Sequence, residues 1–169
     1  DFRPGLKLKA TFVILFVSHF DTEVREMKTL EQILQLKGRD VLITGPDSTV
    51  YDSLTLLAQH EVGALVVVDN NRPVGLFSER DYARKVILKS LSSHDVPVRA
   101  IMASPVICVD TSLTVDKAMG IMTERRIRHL PVLDDSAQLT GIVSIGDLVK
   151  DIIAEQQYTI DQLQHYIHS

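Results

Sequence analysis

The chain has one cysteine, Cys108, among 169 residues. An intramolecular disulfide framework is therefore excluded, and the composition suits a reducing compartment such as the cytoplasm. Cys108 lies in the apolar run Val106-Ile107-Cys108-Val109, where the ordinary role is a small buried hydrophobe. Catalytic signatures are missing as well. There is no phosphate-cradling GxxxxGKS/T loop, no GxGxxG turn, no HExxH pair and no Cys-x-x-Cys. The six histidines are scattered, with His60, His94, His165 and His168 in polar segments where exposure is the default. Excess positive charge is absent too: a net charge of −4 and a pI near 5.8 argue against a general binder of nucleic acid or anionic membranes. The apolar run over residues 10–17 is too short for a bilayer, which needs about 20 residues. Arg3, Lys7 and Lys9 before it imitate a secretory signal, but no small-x-small cleavage site follows. Residues 1–26 are therefore expected to add a strand or helix to the main body.

What is present is an internal repeat. With 45% apolar residues the chain can bury a real core, as one compact domain or two small intimate ones. Gly141-Ile142-Val143-Ser144-Ile145-Gly146-Asp147 reproduces Gly75-Leu76-Phe77-Ser78-Glu79-Arg80-Asp81. Thr49-Val50 matches Thr114-Val115, and Val62-Gly63-Ala64-Leu65 matches Ile127-Arg128-His129-Leu130, both at an offset of 65, whereas Gly75 and Gly141 stand 66 apart. One residue has been inserted in the intervening turn, where loops tolerate it.

Each Gly-to-Asp stretch reads as a buried strand end turning into a helix, with Ser before the helix and Asp one turn inside it. Backbone N–H groups and the Ser hydroxyl at a helix start suit a phosphate. A carboxylate there can accept from two vicinal hydroxyls, as a ribose presents them. The plain alternative is a capping box, in which Ser and Asp only satisfy the first-turn donors. Ser78 and Ser144 have no evident base, and an alcohol without one is a weak nucleophile. A binding module rather than an enzyme is expected.

In order, Leu30, Ile33 and Leu34 predict a helix ending at Lys37-Gly38, and Val41-Leu42-Ile43-Thr44 a short strand stopped by Gly45-Pro46. Thr49 caps a helix burying Val50, Leu54 and Leu57. Residues 64–68 and 74–77 are strands around a turn at 69–73, and Ser78 starts a helix through Tyr82, Val86 and Leu88. After a loop at 92–95, Val98-x-x-Ile101-Met102 matches the opening helix. A strand at 106–109, a helix from Thr114 and strands at 130–133 and 140–143 complete the second copy. Met119 and Met122 map onto Leu54 and Leu57 and are core, not metal ligands.

These motifs in register, together with Ser78-Glu79-Arg80-Asp81-Tyr82 and Arg126-Ile127-Arg128-His129-Leu130-Pro131-Val132, resemble paired cystathionine-β-synthase (CBS) domains, the Bateman module, over about residues 29–169. The resemblance is greatest to small stand-alone CBS-pair proteins. It implies an α/β fold of two pseudo-twofold-related repeats, each helix-strand-helix-strand-strand-helix, with small packed sheets and a long C-terminal helix. Residues 1–26 are an extension, 27–92 the first repeat, 93–150 the second and 151–169 a helical extension. The resemblance also implies adenosine ligands, AMP, ADP, ATP or NAD(H), in clefts between the repeats. Asp81 and Asp147 would hold ribose hydroxyls, with Ser78 and Ser144 near the ribose and α-phosphate. The backbone at Ile43-Thr44 and Ile107-Cys108 would flank adenine, and Arg128-His129 would contact phosphate. The first copy departs there, since Gly63-Ala64 carries no charge, so the cleft served by Asp147 is expected to be the stronger. Arg125 and the basic residues of the first copy's last helix are read as a solvated face.

From Asp147 onward the spacing predicts a long helix with Leu148, Ile152, Ile153, Ile160, Leu163 and Ile167 as an apolar stripe. A second copy of the chain would cover it, giving a homodimer. Three functions follow: an adenine-nucleotide sensor that controls a partner protein, an NAD(H) or other adenosyl-ligand sensor of the same fold, or a ligand-free scaffold. No nucleic-acid or membrane partner is expected.

Overall fold

The computed structural model describes residues 27–167; the element expected within residues 1–26 lies outside them. The order is α1 (Leu30–Lys37), β1 (Ile43–Thr44), α2 (Val50–His60), β2 (Ala64–Asp69), β3 (Arg72–Ser78), α3 (Glu79–Lys85), β4 (Val109–Asp110), α4 (Val115–Arg125), β5 (His129–Leu133), β6 (Leu139–Ser144) and α5 (Ile145–Ile167). Single 3-10 turns occupy Ile87–Lys89 and Val98–Ala100. The two repeats form separate three-stranded sheets, β1-β2-β3 and β4-β5-β6. In each, the first pair is parallel and the second antiparallel, with a register irregularity at the matching place, Val67/Val68 and Val132/Leu133.

Local chemistry accounts for most boundaries. Gly38 ends α1 at φ 98°, a value that favours glycine. The Thr49 hydroxyl accepts from the Asp52 N–H and caps α2, whose Val50, Ser53 and Leu57 are buried. Three elements are shorter than the sequence suggests. The strands expected at 41–44 and 106–109 pair only over Ile43–Thr44 and Val109–Asp110. The helix from Ser78 stops at Lys85. The segment after Val98 makes one 3-10 turn instead of a helix, because the chain then extends so that Ala103 can pair with Leu76, with bonds of 3.0 and 2.8 Å.

The cores are built across the repeat boundary. Leu30, Ile33 and Leu34 of α1 pack with Val115, Met122, Leu130, Val143 and Leu148, all from the second repeat. Val98 and Ile101, from the second repeat's opening, pack with Val50, Leu57, Leu65, Phe77 and Val86 of the first. Backbone bridges mark the crossing on both sides, Thr29 with Thr114 and Thr49 with Pro97. The glycine heading each repeated motif makes this possible. A Cβ at Gly141 would meet Leu34 Cδ2 at 2.5 Å, and one at Gly75 would meet Met102 Sδ at 2.5 Å and the Ala103 carbonyl at 3.2 Å. Leu34 is fully buried, worth about 1.5–3 kcal/mol, so α1 cannot easily withdraw.

Overpacking a closed core costs about 1–3 kcal/mol. Gly141→Ala should therefore lower the stability measured by urea unfolding by that amount, and the double change with Leu34→Ala should cost less than the sum of the two single changes. An unchanged midpoint for Gly141→Ala would show that the close approach of α1 is not a constraint.

Candidate functional site

The repeated Ser-x-x-Asp lies where each sheet hands the chain to a helix. Ser144 ends β6 and Asp147 is in the first turn of α5; the Ser144 N–H donates to Asp147 Oδ2 at 2.7 Å, and the Asp147 N–H donates to Ser144 Oγ at 3.1 Å. In the first repeat the Ser78 N–H and hydroxyl donate to Asp81 Oδ2 at 3.2 and 2.7 Å, and the Asp81 N–H donates to Ser78 Oγ at 3.3 Å. Both copies are thus capping boxes. They differ in what the carboxylate has left to offer. Asp81 is also engaged through Oδ1, 3.0 Å from Lys85 Nζ. Asp147 receives Lys37 Nζ at 2.7 Å on the same Oδ2 that the Ser144 amide uses, and among the described residues nothing bonds its Oδ1.

Asp147, Ser144 and His129 line one cleft of about 740 Å³ between the repeats. The register of β5 against β6 pairs His129 with Ser144, which carries the imidazole into this cleft. The opposite wall belongs to the first repeat: Val41 and Leu42 before β1, and residues 60–64 at the end of α2. A Cβ at Gly63 would stand 3.7 Å from His129 Cε1 and Nε2, so the small residue there faces the imidazole directly. Lys37 reaches the cleft from α1, bonding the Ile142 carbonyl at 2.8 Å as well as Asp147.

Burial would raise the Asp147 carboxyl pKa, but the Lys37 ammonium and the Ser144 donors outweigh it and hold the group below its ordinary value. Asp147 is a carboxylate at neutral pH. Burial lowers the pKa of His129; Asp147 opposes this, while Lys37 and Arg128 add to it. His129 is therefore a neutral imidazole near pH 7. Desolvation raises the pKa of the Cys108 thiol, which suits a half-buried packing residue rather than a nucleophile.

The other expected site residues lie elsewhere. Arg128 is exposed and does not line the cleft; its carbonyl accepts from the Ile145 N–H at 2.8 Å and so helps start α5. Ile43 and Thr44 line a separate, more open cavity of about 430 Å³ with Gly45 and Ser48, and the buried Thr44 hydroxyl bonds that of Ser53 at 2.8 Å. Ser78 and Asp81 line neither cavity, nor do Ile107 and Cys108; Ile107 packs against the core that α1 shares with the second repeat. The sequence reading missed Lys37, whose only local signal is a helix end, because its partner is 110 residues away. Among the described residues there is no cluster of three His, Cys, Asp or Glu able to hold a metal, and no helix long and apolar enough to cross a membrane.

Comparison with known proteins agrees with this architecture. The family model described as CBS domain matches residues 33–88 and again 98–154. A mitochondrial CBS domain-containing protein of Arabidopsis thaliana is 38% identical over 151 residues, covering 84% of this chain and 73% of the relative. The structure of a putative signal-transduction protein with CBS domains from Burkholderia ambifaria superposes with a TM-score of 0.73 at 46% identity, covering 76% of this chain and 96% of that one. A CBS domain protein from Pyrobaculum aerophilum, solved in complex with AMP, superposes with a TM-score of 0.63 at 28% identity over 71% of this chain and 89% of that one.

Proposed function

The chain belongs to the CBS domain family, and from that premise we propose that it is a regulatory module that binds an adenine nucleotide, AMP, ADP or ATP, in the cleft served by Asp147. The observation that carries this reading is the open Oδ1 of an ionised Asp147, set beside Ser144 and His129 in a cleft large enough for a nucleoside phosphate. A ribose hydroxyl can donate to Oδ1 without breaking the helix cap, whereas at Asp81 it would share Oδ1 with Lys85. The AMP held by the Pyrobaculum relative supports the ligand class. In this reading Ser144 and His129 contact the ribose phosphate, Arg128 swings in from outside, and the backbone at 107–108 reaches the ligand only after a local shift. Ser78, Asp81, Ile43 and Thr44 would serve at most a weaker second site. NAD(H) is the second reading, favoured by the uncharged wall at Gly63 and Ala64, which leaves room for a further nucleoside. The module works in the cytoplasm or another reducing compartment, and binding alters its affinity for a protein partner through a reciprocal coupling.

The exposed face of α5 supports a homodimer. Ile153, Ile160, Leu163 and Ile167 are between 47% and 78% exposed, along a helix of 23 residues whose last contact with the core is Ile152. A twofold partner would bury that stripe.

Isothermal titration should show saturable micromolar binding of AMP, about 8 kcal/mol, lost in Asp147→Ala. NADH competing with AMP for the same sites would select the second reading. Absence of heat and of thermal shift with AMP, ATP and NADH would overturn both. Light scattering at micromolar concentration should give the mass of two chains, and Leu163→Glu should give one; a monomeric parent chain contradicts the dimer.

A further inference from the structure

We propose that Lys37, contributed by the crossed helix α1, supplies the positive charge that binds the phosphate of the ligand whose ribose Asp147 holds, beside the neutral contacts of Ser144 and His129; this deepens the adenine-nucleotide reading and rests on it. The cleft needs a cation. Besides Asp147, the carboxylates of Asp40 and Glu61 line it, while His60 and His129 are its imidazoles. His129 comes from β5 and is held neutral by its surroundings, and Arg128 does not line the cleft. Among the described residues Lys37 is the one lining side chain with a permanent positive charge. Without it a phosphate would enter a space bounded by three carboxylates.

The geometry leaves Lys37 free to act. An ammonium has three N–H donors, and two are used, on Asp147 Oδ2 at 2.7 Å and on the Ile142 carbonyl at 2.8 Å. The side chain is 30% exposed, so the third donor can be reached by a ligand oxygen. Leu34, one turn earlier, is fully buried against Gly141 and fixes where the lysine emerges. Lys37 thus stands beside the carboxylate that would hold the ribose, oriented in advance rather than recruited.

A purely structural lysine would neutralise Asp147 and nothing more. The two roles separate when AMP and adenosine are compared, since only AMP carries the group that Lys37 would hold. Titration of both into Lys37→Met should show AMP weakened at least about tenfold, the value of one charge-assisted bond, with adenosine changed by less than about threefold. Lys37→Arg should keep AMP binding within a few-fold, and thermal unfolding should show both variants folded. Equal weakening of the two ligands, or undiminished AMP binding in Lys37→Met, would overturn the assignment while leaving the nucleotide reading intact. A parent chain that binds neither AMP nor adenosine would overturn that reading and this inference together.

Discussion

The contact of Leu34 with Gly141 is the constraint on which the rest of the structure depends. It lets α1, encoded at the start of the first repeat, lie on the sheet of the second, and the matching contact of Met102 with Gly75 closes the exchange on the other side. Neither repeat then has a complete core of its own. The sheets are small, three strands each, and a unit of about 60 residues buries too little of its surface to be more than marginal alone. Exchanging the leading segments buries both faces and ties the repeats into one cooperative body.

The same exchange makes the cleft composite. Asp147, Ser144 and His129 come from the second repeat, the facing wall from residues 41–42 and 60–64, and Lys37 from the crossed helix. A ligand there touches both repeats and the crossed helix at once. Lys28, just before α1, also pairs with Asp151 on α5 at 2.5 Å. A shift of α1 on ligand binding would therefore be felt along the helix whose apolar stripe awaits a partner, which gives the site a physical route to the proposed interface.

Much of this was legible in the sequence. The repeat, the order of elements and the Ser-x-x-Asp junctions depend on short-range chemistry: caps, turns and alternation between apolar and polar residues. The structure places Thr49, Gly38 and Ser78 at the helix ends where their residue types suggested. What was illegible is long-range. Nothing near Lys37 points to Asp147, and nothing near Gly75 or Gly141 tells that another segment comes close there. The residues at 43–44 and 107–108 were placed by analogy, and the orientation of a strand end toward a cavity is decided by packing that local pattern does not encode.

The most direct test of a composite cleft is hydrogen exchange with and without AMP. Ligand should slow exchange together at residues 37–42, 60–64 and 142–147, segments far apart in sequence that meet only at this cleft. Protection confined to 142–147 would contradict a site built across the exchanged repeats and would leave the first repeat as a bystander.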